Sequence, residues 1–182
     1  MLNVLEKRGE SIALPIDCTL DNNSNTHKPI VVTLRWTASV DLDLHAFALT
    51  QDDQLVHIDF SKPGRVDKEP FIALEKDDGV GGQEGYHEEN LTLTNIPKYK
   101  KILFATNIFR FWGIFAIQSE FGTYNSSVLV NAQGIMMEVK LHTQEKGNWA
   151  LIAMIQTNGE YRLHNVNHIQ NHKPTEEELR QL

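Results

Sequence analysis

The sequence predicts a mainly β protein, an antiparallel β-sandwich with few short helices. Three observations predict it. Short runs rich in Val, Ile, Leu, Thr and aromatic residues recur along the chain, separated by turn residues at the spacing of a sandwich, about eight to twelve positions. Helical periodicity is nearly absent. No linker and no internal repeat divides the 182 residues, which are enough for one domain with a full core.

The elements follow in order. TLDNNSNTHKP (residues 19–29) is polar and free of glycine, an expected exposed loop between the first two strands. PIVVTLRW (29–36) is β-branched and closes on an aromatic, so it reads as a strand. HAFALT (45–50) and LVHIDF (55–60) are two more, with QDD turning between them as a hairpin. FIALE (71–75) leads into an acidic stretch, and NLTLTNI (90–96) leaves it with strict alternation. KILFATNIF (101–109) is apolar almost throughout, as a buried strand should be. SSVLVNA and GIMMEVKLH (126–142) form consecutive strands about Gly134. WALIAMIQTNGEYRLHNV (149–166) is a hairpin, because Asn-Gly between alternating runs is a strong turn signal. Only PTEEELRQL has the grammar of a helix start, with Thr175 as N-cap and carboxylates in the first turn. The expected organisation is a sandwich over residues 1–172 and a short helical tail over 173–182.

Composition narrows the function. The opening MLNVLEKRGE lacks an apolar run of signal-peptide length, and no stretch approaches a membrane span, so a cytoplasmic location is expected. The single cysteine, Cys18, excludes an internal disulfide and a cysteine-based zinc cluster; among apolar neighbours it reads as a small buried side chain. Of the 24 acidic residues, eight fall in residues 67–89 against two lysines, so that segment carries nearly all of the net charge of −7. No basic patch matches phosphates, which argues against nucleic-acid binding. A cation is the more natural partner.

The stretch EKDDGVGGQEGYHEE (75–89) crowds six carboxylates around four glycines. Calcium takes six to eight oxygens from carboxylates and backbone carbonyls on a chain that can curl. Asp77, Asp78, Glu84, Glu88 and Glu89 supply carboxylates; Gly79, Gly81, Gly82 and Gly85 let carbonyls turn inward. Glu89 is the weakest candidate, because one step along the exit strand turns it away from Glu88. Asp41 and Asp43, two apart at the mouth of a strand, point to one side and could close the same cage. An EF-hand is excluded: counting from Asp77, positions three and five are Gly79 and Gly81, and the flanks are strands.

With these residues in view, the chain resembles the TerD-type proteins of bacterial tellurite-resistance and stress-response operons. LEKRGESIAL (5–14) resembles the opening strand of that family, and VTLRWTASVDLDLHAFAL its Trp-containing strand followed by Asp-x-Asp. DDGVGGQEGYHEE lies on its glycine-acid loop; Phe121, Gly122 and the final hairpin resemble its closing elements. The resemblance covers nearly the whole chain. It implies a β-sandwich that binds calcium, in some members at two adjacent sites, with Asp41, Asp43, Asp77, Asp78, Glu84 and Glu88 as ligands. It also implies a non-enzymatic role as a scaffold or partner-binding module in stress response, with a protein partner from the same system. Two departures weigh on this. Paired aspartates of the family loop are Tyr86 and His87 here, a loss of two hard oxygen donors, which points toward an adaptor that has lost metal binding. NIFRFWGIFAIQSEFG (107–122) is more apolar than its family counterpart and is either core or a docking surface.

Catalysis has little support. Cys18 has no partner, and nucleophile-elbow and phosphate-loop motifs are absent. His45, near Asp43, is expected to face away from it as an ordinary strand histidine. A magnesium- or manganese-dependent hydrolase is the residual enzymatic reading. His164, His168 and His172 are four apart, but the asparagines among them disfavour a helix and the first part continues the hairpin strand, so a solvated polar tail is expected.

Overall fold

The computed structural model describes residues 2–16, 28–37, 40–75, 87–108 and 118–182. The glycine-acid loop between Glu75 and His87, most of the polar loop at 19–29, Cys18 and the aromatic segment 109–117 lie outside the described residues.

In chain order the strands are β1 (Leu2–Leu5), β2 (Ser11–Ala13), β3 (Ile30–Trp36), β4 (Leu42–Thr50), β5 (Leu55–Ile58), β6 (Gly64–Arg65), β7 (Ile72–Leu74) and β8 (His87–Leu93). They continue as β9 (Tyr99–Ile108), β10 (Ser119–Glu120), β11 (Ser127–Ala132), β12 (Ile135–Lys140), β13 (Lys146–Gly147), β14 (Trp149–Thr157) and β15 (Tyr161–Gln170), followed by helix α1 (Glu176–Gln181). Two sheets pack face to face. One runs β1-β12-β11-β3-β8-β7-β6, the other β2-β15-β14-β9-β4-β5, and a small ribbon joins β10 to β13. Pairing is antiparallel except between β1 and β12, which run parallel. The expected sandwich is the observed fold. Among the described residues, no helix is long and apolar enough to cross a membrane.

Alternation builds the core. Ile30, Val32, Leu34 and Trp36 of β3 point inward and meet Leu42, Leu44, Ala46 and Ala48 of β4 in one buried cluster. The six-stranded sheet also buries its outer face. Phe47, Leu49, Leu103, Ala105, Leu151 and Met154 form a second cluster there, capped by Leu179 of α1. That is why β4 and β9 read as continuous apolar runs rather than clean alternation. The helix starts as expected: Thr175 and Glu178 form a reciprocal capping box, the Glu178 N–H donating to Thr175 Oγ1 at 3.2 Å and the Thr175 N–H to Glu178 Oε2 at 2.8 Å. The Lys101 ammonium then donates to the Leu179 and Arg180 carbonyls at its far end.

Turn chemistry follows the residues with one adjustment. Gln133 and Gly134, both with positive φ, make a two-residue turn between β11 and β12. The Asn158-Gly159 turn recruits Glu160 as well, since the last pair of β14 and β15 is Thr157 with Tyr161.

The expected solvated tail is overturned as far as Gln170; Asn171 and His172 beyond it are exposed. β15 runs through His164 and His168 to Gln170, paired with β14 and, in its first half, with β2. The asparagines responsible for that expectation are the reason it fails. Asn165 Nδ2 donates to the Leu5 carbonyl at 3.0 Å, and Asn167 Nδ2 to the Lys140 carbonyl at 2.7 Å. Buried side-chain amides thus tie this strand to β1 and β12 of the facing sheet, where a helical preference has no bearing.

Candidate functional site

Asp41 immediately precedes β4, and Asp43 lies within it, opposite Asn107 of β9. Asp43 is only 5% exposed. Glu89, on β8 of the other sheet, points inward at 2% exposure, in step with Leu91 and Leu93. Its Oε2 accepts the Leu44 N–H at 2.5 Å across the gap between the sheets. The reason is local. The β5 ladder reaches along β4 only as far as Ala46, so the Leu44 amide has no strand partner on that side. A carboxylate from the facing sheet supplies the acceptor, and the charge-assisted bond offsets part of its desolvation.

Glu88, one residue earlier, faces the other way. It is the cross-strand neighbour of Arg35, whose Nε and Nη2 both donate to Glu88 Oε1, at 2.7 and 2.5 Å. His87 stacks on Trp36 with ring centroids 5.2 Å apart. Of the two glutamates, Glu89 is therefore the one directed toward β4, as its alternation with Leu91 and Leu93 requires, whereas Glu88 is the ligand the resemblance implies. Asp77, Asp78 and Glu84 lie outside the described residues. Among those described, the acidic residues Asp41, Asp43, Glu88 and Glu89 do not by themselves gather three ligand atoms at metal spacing.

A different group does. His45, His57 and Asp59 offer ligand atoms all within 4.8 Å of one another. His45 does not face away from Asp43: residues two apart on a strand share a face, and both lie on the outer face with Phe47. Leu55 and His57 of β5 follow the same period, which Asp59 continues one residue past the strand. His45 Nδ1 lies 3.0 Å from His57 Nε2, and His45 Nε2 contacts Asn107 Oδ1. His57 Nδ1 is 3.3 Å from Asp59 Oδ2 and 2.9 Å from the Lys173 ammonium. Asp59 is itself anchored, its Oδ1 accepting from the Ser61 N–H and hydroxyl and the Lys62 N–H. Phe47 stacks on His57 at 4.3 Å, and Trp149 tilts against His45 at 4.7 Å.

Burial dominates the electrostatics. It pushes His45 down to about 4, against the opposing hydrogen bond that His45 donates to Asn107. It pushes His57 to about 4 as well, aided by the charge of Lys173. Burial raises the Asp59 carboxyl, but the donors of Ser61 and Lys62 and the nearby His57 outweigh it and hold the group below its usual value. With both rings neutral, one set of tautomers gives three of these contacts a donor and an acceptor, and leaves His57 Nδ1 and Asp59 Oδ2 as two acceptors beside the Lys173 ammonium. Lys173 donates to His57 Nδ1, His57 Nε2–H to His45 Nδ1, and His45 Nε2–H to Asn107.

A pH dependence follows. A histidine whose pKa falls on folding binds its proton more tightly in the unfolded chain. Its contribution is complete above the usual 6.5 and is lost as pH falls toward about 4. Urea unfolding is expected to show a fall in stability across that window, shallower in His57→Gln. The Asp59 contribution is lost only at lower pH, below the ordinary 3.8. An identical slope in the two proteins would refute the assignment.

The sequence signal for this group was the repeat of one spacing, Asp43–His45 on β4 and His57–Asp59 at the end of β5. What it lacked was the register that joins them. No family model matches the chain, and a search of characterised proteins finds no significant match.

Proposed function

We propose that the protein is a calcium-binding, non-enzymatic β-sandwich of the TerD kind, acting in the cytoplasm as a scaffold or partner-binding module in stress response and tellurite resistance. The observation that carries this reading is the burial of two carboxylates at the start of β4, Glu89 reaching from the facing sheet to the Leu44 amide and Asp43 one residue before it on the other face of the strand. Burying two acids at the level where the glycine-acid segment joins β8 is costly unless donors or a cation compensate. The donor set is hard oxygen throughout, Asp41, Asp43 and Glu89 with Asp77, Asp78 and Glu84 from that segment, and hard oxygen suits calcium. Calcium would offset the repulsion among these acids and order the segment, presenting or withholding a surface for a protein partner. The tellurite and stress role rests on the family resemblance alone.

The test is the melting temperature of chelator-stripped protein titrated with calcium and, in parallel, magnesium. A calcium-selective rise is expected, equivalent to about 2.7 kcal/mol at a hundredfold excess over the dissociation constant. Asp43→Asn should remove it. A flat calcium response would end this reading. It would favour the second, an adaptor that has lost metal binding, which draws support from the engagement of Glu88 by Arg35 and of His87 by Trp36.

A further inference from the structure

We propose that His45 and His57 form a binding site for an imidazole-preferring divalent cation of the late first transition row, zinc being the reference case. The ligands are His45 Nδ1 and His57 Nε2, with water completing the coordination. The site lies on the outer face of the six-stranded sheet, uses nitrogen rather than oxygen, and does not depend on the calcium reading.

Four features carry it. The two nitrogens are 3.0 Å apart; two nitrogens bound tetrahedrally to zinc at the usual bond lengths sit roughly 3.4 Å apart, so a small opening of the rings admits the ion. The nitrogen at the back of each ring is already matched to an acceptor, His45 Nε2 to the Asn107 amide oxygen and His57 Nδ1 to Asp59 Oδ2 at 3.3 Å. Metal-bound histidines use such acceptors to fix tautomer and orientation. Asp59 is held for that task, because Ser61 and Lys62 occupy only its other oxygen. The rings are also packed by Phe47 and Trp149, so little freedom is lost on binding.

Lys173 is the built-in competitor. In the metal-free chain its ammonium donates to His57 Nδ1, which keeps the proton on Nε2 and denies that nitrogen to a metal. Binding moves the His57 proton to Nδ1, where it is donated to Asp59, and releases Lys173. The net proton count is unchanged. Lys173 lies shortly before α1 and its ammonium sits 5.6 Å from the Phe47 ring centre, so occupancy is coupled to the segment that leads into the helix.

The experiment is zinc titration of the chelator-stripped full chain by calorimetry, with histidine ring nitrogens followed by NMR. One equivalent should bind, shifting His45 Nδ1 and His57 Nε2. His57→Gln should weaken binding at least tenfold, Asp59→Asn about 10–100-fold, and Lys173→Met should tighten it. The last effect has the sign opposite to that of general damage to the fold. Unmoved ring nitrogens in the wild-type chain would overturn the proposal, as would equal affinity in His57→Gln or weaker binding in Lys173→Met. The wild-type NMR result decides it even if a variant fails to fold. A negative zinc result leaves the calcium titration untouched, and the reverse also holds.

Discussion

Trp36→Ala is expected to lower the free energy of unfolding by about 3–5 kcal/mol, measured by urea denaturation. Trp36 is fully buried at the end of β3, and its ring is the largest among the fully buried side chains of the described residues. Truncation opens a cavity bounded by strands of both sheets, which cannot collapse without breaking their ladders. The ring has two further attachments. Its Nε1–H donates to the Val40 carbonyl at 2.8 Å, fixing the chain just before Asp41, and its face stacks on His87 at the start of β8. Trp36→Phe separates these effects. It keeps most of the apolar volume but removes the donor, for an expected cost of about 1 kcal/mol plus the cost of a small cavity. Because Val40 leads into Asp41, the Phe variant should also weaken the calcium response more than its stability loss would suggest. A Trp36→Ala protein as stable as wild type would mean that the end of β3 contributes nothing to the core.

Glu89→Ala is expected to cost about 1–3 kcal/mol through the Leu44 amide alone, which is left buried without an acceptor. The vacated space adds a cavity cost. Removing the carboxylate also relieves its desolvation, so the sign is a contest, and Glu89→Gln decides it. Glutamine keeps an oxygen for the Leu44 N–H and discards the charge. If the hydrogen bond dominates, the Gln variant stays close to wild type while the Ala variant falls. If the desolvation of the buried charge outweighs the hydrogen bond, the Gln variant becomes more stable. In either case the calcium response should shrink in both, because a hard anionic donor is gone. An Ala variant with unchanged stability and an unchanged calcium response would remove Glu89 from the site.

Much of the architecture was legible because it is local. Alternation over residues 29–36 and 90–96 located β3 and β8, and the positive-φ requirement placed Gly134 in its turn. Thr175 with carboxylates in the next turn announced the start of α1, and the structure adds the reciprocal bond of Glu178. The boundaries were less legible. β4 begins at Leu42 rather than His45, and β8 at His87 rather than Asn90, since acidic residues weaken a strand signal that cross-strand partners such as Arg35 restore. The asparagine-rich end of β15 read as a tail for the same reason: its stabilising partners, the Leu5 and Lys140 carbonyls, are remote in sequence.

The sequence by itself determined that the chain is a β-sandwich, that its acidity is concentrated in one segment, and which residues share a face within a given strand. Period two fixes all such intra-strand relations, because it follows from the pleat alone. Only the tertiary structure decided which faces meet. It set Glu89 rather than Glu88 toward β4, and it joined His45 to His57, Asp59, Asn107 and Lys173 on one outer face. Those pairings depend on strand order and register, which are settled by burying apolar surface on both sides of the six-stranded sheet. No stretch of a few residues carries that information.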